Sequence, residues 1–336
     1  MSTMTIAKAI NLGLRRALQA DPKVLIAGED VGKLGGVFRI TEGLQAEFGT
    51  NRVIDSPLAE SGIIGTAVGL TMRGYRVVAE IQFDGFVFPA FDQLVTQVAK
   101  LHARTAGRQP MPMVVRIPYG GGIGAVEHHS ESPEAYFCHT PGLKVVTPSS
   151  PHDAHWMIQQ AVASPDPVIF LEPKRRYHVK GEVNVEQRPA PMHQAGILRQ
   201  GTDATLIAWG PMVRTCLDAA AVAAFTEAMN DDFNTPKALA VLFDLARRIN
   251  SGETALAATL KTLGGRLGLL QQNPATWLKG ENSGSLTEAD ILARIAARAE
   301  AKAAKDYARA DAIRNELAAQ GIIIKDTASG TEWRYE

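Results

Sequence analysis

His128 and His129 stand side by side in the stretch GGGIGAVEHHSESPEAYF, residues 120–137, flanked by Glu127 and Glu131. Three kinds of chemistry fit such residues. A metal centre needs three or four converging nitrogen, sulfur or carboxylate ligands, and no HExxH or comparable spacing is nearby, so no metal is assigned to this chain. A single histidine titrating near neutrality could move a proton. A polar loop without chemistry would use Ser130, Ser132 and Pro133 to cap a helix at EAYFCH.

Glu60, in RVIDSPLAESGIIGTAVGLTMRGY, is the second candidate. A glutamate in a first helical turn ordinarily just complements the helix dipole. With Ser56 as cap, the capping-box carboxylate belongs at Ala59, so Glu60 stands one position beyond it. Gly62, Gly65 and Gly69 give the same helix a small-residue face, at about 1 kcal/mol each relative to alanine. The expectation is a close neighbour on that face: another helix, a partner chain or a cofactor. The third candidate is EIQFDGFVFPAFDQLVTQVAK, where Phe83, Phe86, Phe88 and Phe91 crowd one strand-to-helix turn. Most of these belong to a core. One could lie flat on a planar ligand.

The elements that must position these groups follow from hydrophobic periodicity. The runs KVLIAG, RVI, RVVAEIQF, MVVRIP, LKVVTP and PVIFLEP read as strands. They alternate with the helical patterns AESGIIGTAVGLTMRGY, PAFDQLVTQVAKLHARTAG and PHDAHWMIQQAVASPD. That alternation predicts an α/β fold, a doubly wound and mostly parallel sheet, with ligands at the carboxyl ends of its strands. The histidine stretch follows MVVRIP directly and so falls on that edge.

The 336 residues suggest about two domains at ~150 residues each. Thirty-five basic and 35 acidic side chains cancel, which argues against a strong phosphate-binding surface. Two distant cysteines, Cys138 and Cys216, suit a reducing, cytoplasmic setting. No apolar run approaches the ~20 residues that span a bilayer, so no membrane partner is expected.

The two halves differ in grammar. Residues 1–176 carry the strand–helix alternation, and 177–203 read as a polar, proline-bearing linker. In 204–224, ATLIAWG promises a new strand and PMVRTCLDAAAVAA a helix, the truncated start of a second α/β domain. Residues 225–284 are helical: DDFNTPKALAVLFDLARRINSG has Asn234 or Thr235 as cap, Pro236 in its first turn and Gly252 past its end. Residues 285–336 hold one or two helices closed by Gly321, then a hairpin around ASG.

GEDVGKLGGVFRITEGL, DSPLAESGIIGTAVGL, EIQFDGFVFPAFDQ, IPYGGGIGAVEHHSESPEAYFCHTPGLKVVTPSSPHDA and DPVIFLEPKRRY together resemble the β subunit of thiamine-diphosphate-dependent 2-oxo acid dehydrogenases, over about residues 4 to 224. EIQFDGFV and EHHSESPEA look closer to the branched-chain type than to the pyruvate type. The resemblance implies a transketolase-like pyrimidine-binding domain and oxidative decarboxylation, with acyl transfer to a lipoyl group. Glu60 matches the glutamate that hydrogen-bonds the aminopyrimidine, in a pocket where burial favours a retained proton. Phe86 matches the aromatic stacked on that ring, with Leu58 and Gln82 lining the pocket. His129 matches the active-site histidine, with His128 a secondary candidate. A GDG motif followed by asparagine, which holds diphosphate and magnesium, is missing from this sequence. In the family it sits on the α subunit, so the resemblance implies an α2β2 assembly with shared sites and a lipoyl-bearing acyltransferase as further partner.

The tail departs from that family. FTEAMNDDFNTPKALAVLFDLARRIN, LGLLQQNPATWL and KDYARADAIRNELAAQGIIIKDTASGTEWRYE resemble the C-terminal helical and anticodon-binding region of bacterial cysteinyl-tRNA synthetase. The HIGH-type and KMSKS motifs and the zinc cysteines of that enzyme are absent, which excludes aminoacylation. Trp333 and Arg334 are the candidate tRNA contacts; alternatively TEWRYE only closes a hairpin. Three expectations stand side by side: a decarboxylase β chain impaired by loss of its C-terminal domain, a tRNA-binding fragment fused to an inert α/β domain, or a non-functional hybrid.

Overall fold

The computed structural model describes residues 1–187, 189–202, 204–273, 286–327 and 330–335. Two compact units divide it, Met1–Ala257 and Ala258–Glu336.

The first unit opens with β1 (Ser2–Thr5), α1 (Ile6–Ala20), β2 (Val24–Gly28), α2 (Leu44–Phe48), β3 (Val53–Asp55), α3 (Glu60–Met72) and β4 (Arg76–Glu80). A 3-10 turn at Asp84–Ala90, a wide turn at Gln93–Val98 and α4 (Leu101–Arg104) lead to β5 (Met113–Tyr119), α5 (Glu134–Cys138), β6 (Lys144–Val146), α6 (Pro151–Ala163) and β7 (Val168–Pro173). Then come β8 (Lys180–Val183), α7 (Met212–Asn230) and α8 (Thr235–Asn250).

β2 to β7 form one parallel six-stranded sheet in the order β3-β2-β4-β5-β7-β6. Every residue of β2, β5 and β7 is buried, because helices cover both faces and leave no side free for polar side chains. On one face, Ile6, Ile10, Leu14 and Leu18 of α1 meet Ala154 and Ile158 of α6 over the sheet. On the other, Ile63, Ile64 and Ala67 of α3 join Val87, Leu94 and Val98. The six strands expected within residues 1–176 all form.

Three local expectations do not hold. PAFDQLVTQVAKLHARTAG is no single α-helix; it winds as 3-10, then wide, then α turns. Pro89 inside the first of these offers no N–H to a regular α ladder. The linker at 177–203 contains β8, which pairs antiparallel with β1 from Ser2↔Val183 to Thr5↔Lys180. ATLIAWG is not a strand: residues 204–209 have no regular structure. A strand persists only where a neighbour takes up its backbone groups, and no described residue between β8 and residue 322 forms one.

α7 is one uninterrupted helix across the change of grammar near residue 224. Its buried Ala221, Phe225 and Ala228 keep one stripe through that point, and α8 packs beside it through Ala238, Leu242 and Leu245. The Asn234 side chain accepts from Lys237 N at 3.2 Å, with Pro236 in the first turn, as its punctuation predicts.

The second unit contains α9 (Ala257–Arg266), which begins at its boundary, then α10 (Glu288–Ala303), α11 (Tyr307–Ala319) and the antiparallel pair β9 (Ile322–Thr327) and β10 (Gly330–Tyr335). Thr287 and Asp290 form a reciprocal capping box. Ile291, Leu317, Ile322 and Ile324 make a small core, joined by Trp333 and Tyr335. The PATWL end of LGLLQQNPATWL, residues 274–278, and residues 328 and 329 of the ASG turn lie outside the described residues. Among those described, no helix is long and apolar enough to cross a membrane.

Candidate functional site

The chain runs from β2 outward to β3, then returns to place β4 on β2's other side, so the winding reverses between β2 and β4. Such a reversal opens a crevice at the carboxyl ends of the strands. Glu29 follows β2, Glu60 follows β3, Gln82 to Phe86 follow β4, and the histidine loop follows β5. Four neighbouring strands thus deliver the candidate residues to one edge.

Glu60 is the first residue of α3, not its fourth. The helix starts later than Ser56 suggests: Ala59 occupies the cap position without a side-chain bond, and the Ser56 N–H is spent on Gly28 O at 2.8 Å. The Glu60 carboxyl therefore sits at the positive end of the helix. Glu29 is its electrostatic neighbour. Burial raises the Glu29 carboxyl above the usual range, and the charges of Asp30 and Glu60 raise it further. Gln82 Nε2 donates to Glu29 O over a long 3.5 Å. Leu58 is 71% exposed on the loop before α3.

Phe83 is the hub of the aromatic cluster. Its ring centroid lies 4.2 Å from that of His129 and 5.9 Å from that of Phe86. Phe86 is in turn 5.4 Å from His129 and 6.4 Å from His128. The two residues singled out on separate stretches, Phe86 and His129, are therefore brought together. Phe88 and Phe91 turn away, toward Tyr136 and Phe137.

His129 Nδ1 meets Glu127 O at 2.6 Å. A ring nitrogen facing a carbonyl carries the proton, which makes Nε2 the basic atom of the neutral ring. His128 has a left-handed backbone, φ 60. Its side chain is 64% exposed beside Glu127. Ser130 donates to Ala125 O instead of capping α5, and the cap residue Pro133 makes no side-chain bond. Loop closure has taken the hydroxyl that the sequence offers to the helix. The expectation of a close neighbour on the glycine face of α3 also fails within this chain. Among the described residues nothing approaches within 4 Å of a Cβ added at Gly65 or Gly69, so the face is open to them.

Two buried ionic groups under this edge were not singled out in the sequence. Arg116 bonds Glu80 and Glu172, and Tyr177 OH donates to Glu172. Asp84 pairs with Lys174, both at zero exposure. The available signal was a charged residue inside each of three apolar runs, RVVAEIQF, MVVRIP and PVIFLEP. Among the described residues no three His, Cys, Asp or Glu side chains converge as metal ligands. In the second unit, Trp333 packs into the small core and meets Tyr335 edge-on, while Arg334 is exposed.

Residues 2–180 match the family described as the transketolase pyrimidine-binding domain, 224–271 the DALR domain, and 287–334 the cysteinyl-tRNA ligase anticodon-binding domain. A pyruvate dehydrogenase E1 component subunit beta from Leifsonia xyli is 64% identical over 224 residues, covering 67% of this chain and 66% of that protein. A 3-methyl-2-oxobutanoate dehydrogenase subunit beta from Mycobacterium tuberculosis is 55% identical over 218 residues, covering 65% and 63%. The chain thus spans just under two thirds of the length of these relatives. A solved structure described as a split gene transketolase, inactive beta4 tetramer, superposes with a TM-score of 0.53 at 19% identity, over 68% of this chain and 69% of that one, a likeness of fold alone. The protein belongs to the transketolase pyrimidine-binding family, among homologues of 2-oxo acid dehydrogenase β chains, and carries cysteinyl-tRNA ligase domains at its C-terminal end.

Proposed function

We propose that this chain supplies the pyrimidine side of a thiamine-diphosphate-dependent 2-oxo acid dehydrogenase site, as a β subunit acting on a branched-chain 2-oxo acid or pyruvate. The observation that carries the reading is that Phe86 and His129 meet, ring centroids 5.4 Å apart, at the sheet edge where α3 starts with Glu60, each within the stretch that resembles that family. The donor set fits the cofactor's six-membered ring: one carboxyl at a helix N-terminus, one flat phenyl, and Leu58 and Gln82 at the rim. Bound there, thiamine diphosphate supplies a nucleophilic carbon and an electron sink for decarboxylation.

Glu60 holds or shares a proton at a ring nitrogen of the pyrimidine. Glu29, whose carboxyl is raised by burial and by the neighbouring charges of Asp30 and Glu60, stands beside it at the rim. Phe86 offers its face to the ring. His129 presents the basic Nε2 to the reacting side, where it moves or holds a proton on the substrate or acyl group. An α subunit, in an α2β2 assembly, would hold the diphosphate and magnesium, and the open glycine face of α3 is a surface such a partner could cover. A lipoyl-bearing acyltransferase would accept the acyl group. With the family's C-terminal domain replaced, turnover below that of a full-length β chain is expected.

Mixing the chain with an α subunit of either type and following carbon dioxide release from pyruvate and 3-methyl-2-oxobutanoate tests the reading. Release that requires added thiamine diphosphate and disappears in Glu60→Gln supports it; no release with either α subunit rejects it.

A second reading rests on the anticodon-binding match at 287–334. On it the tail touches tRNA through Arg334, with Trp333 serving the fold of the hairpin. Filter binding that shows no preference for cysteine tRNA over bulk tRNA removes it.

A further inference from the structure

Resting on the role given to His129 above, we propose that the Phe83–Asp84–Gly85 turn, locked by Lys174, is the positioning device for the histidine loop. The loop spans residues 120–131, and Gly120, Gly122 and Gly124 all have positive φ. Ordering such a chain opposes a large backbone entropy. Something has to hold it if His129 is to keep one place.

Each residue of the turn holds a different part. Asp84 takes the loop's ends. Its Oδ2 accepts from Gly120 N at 3.0 Å and from Lys174 Nζ at 2.5 Å, and Gly120 N is shared with Glu131 O at 2.9 Å. Lys174 follows β7 while Asp84 follows β4, so their bond crosses under the end of β5, where the loop begins. Both side chains are fully buried, and removing either would strand the other's charge.

Gly85 takes the backbone beside the active ring. Its N–H reaches His128 O at 3.2 Å and Asp84 Oδ1 at 3.1 Å. A Cβ there would lie 2.5 Å from His128 O and 2.7 Å from His128 Cα. Only glycine admits the loop this close. Phe83 takes the side chain: its ring is 4.2 Å from the His129 ring, and Lys174 Nζ lies 5.7 Å from its centroid. The ion pair, the missing Cβ and the phenyl ring therefore act on one target, the place of His129 opposite Phe86. Holding a reacting group in place before substrate arrives is worth more than the contacts alone suggest.

The test is read on the full chain, by the ring Cε1–Hε1 signal of His129 in histidine-labelled protein, assigned by its loss in His129→Gln. In the wild-type chain the signal is displaced by the rings of Phe83 and Phe86. In Gly85→Ala and in the charge-free pair Asp84→Asn/Lys174→Met it moves to the exposed-histidine position, while far-ultraviolet dichroism is unchanged. A signal that stays displaced in both variants overturns the proposal. Should the variants not fold, amide exchange of the wild type decides: Gly85 and Gly120 are expected to exchange about tenfold or more slower than Gly122 and Gly124, and equal rates overturn it. Neither measurement involves an α subunit, cofactor or turnover, so the positioning role and the decarboxylase reading succeed or fail separately.

Discussion

Arg116 lies across Glu172 in two near-parallel hydrogen bonds, Nε–Oε1 at 2.6 Å and Nη2–Oε2 at 3.0 Å, with both side chains wholly buried. Its remaining arm reaches Glu80 Oε2 at 2.5 Å. Burial pushes the Glu80 carboxyl up, Arg116 pulls it down, and the charge of Glu172 pushes it up again. One cation thus serves two carboxylates beneath the site.

Replacing that cation leaves both carboxylates facing each other in the core. Arg116→Met is expected to lower stability by about 3–5 kcal/mol. Urea unfolding measures it, and a loss below ~1 kcal/mol would show the carboxylates to be relieved some other way.

His155, at zero exposure between α1 and α6, carries a pH dependence of known sign. Burial lowers its pKa from 6.5 to about 4, opposed by a hydrogen bond from the ring to the Ala9 backbone and helped by the charges of Arg16 and His152. The unfolded chain therefore binds a proton that the folded one refuses between these values. The stability associated with the neutral ring is complete above pH 6.5 and is lost as pH falls toward 4, by about 3 kcal/mol in all. Denaturant titrations of wild type and His155→Gln at several pH values isolate this part. Parallel pH profiles for the two proteins would exclude it.

Glu60→Gln keeps the size of the side chain and removes its acid. With an α subunit present, it should lower the decarboxylation rate by roughly 10²–10⁴-fold, the range for a lost proton-transfer group. Phe86→Ala should weaken cofactor binding about tenfold through lost stacking. Calorimetric titration with thiamine diphosphate separates the two, since Phe86→Ala acts on affinity.

Phe225 is fully buried and stands one residue past the change from one family's sequence to the other's. If α7 is packed across that point as one helix, Phe225→Ala should destabilise the first unit by about 3–5 kcal/mol. Thermal unfolding followed by tryptophan fluorescence reports it. A negligible shift would mean that this stretch hangs loose from the α/β body.

Much of this fold was legible because burial writes itself into local pattern. VLIAG and VIFL are apolar throughout since both faces of a parallel strand are covered, and Pro236 and Gly252 mark helix ends through their own backbone limits. Glu60, Phe86 and His129 were nameable as well, since their neighbours in sequence resemble one family. The Glu29 carboxyl and the FDG turn were not: their roles come from what β3 and β5 place opposite them.

The sequence by itself thus determined the six strands of the main sheet, and that two unrelated families meet near residue 224. Only the tertiary structure decided that the polar KGEV becomes a strand while the apolar ATLIAW does not. It also decided that α3 begins at Glu60, that the glycine face is open, and that Arg116 sits between two carboxylates. The reason is the same in each case: propensity and periodicity act over a few residues, whereas a strand, a buried charge or a placed histidine exists only through a partner far away in the chain.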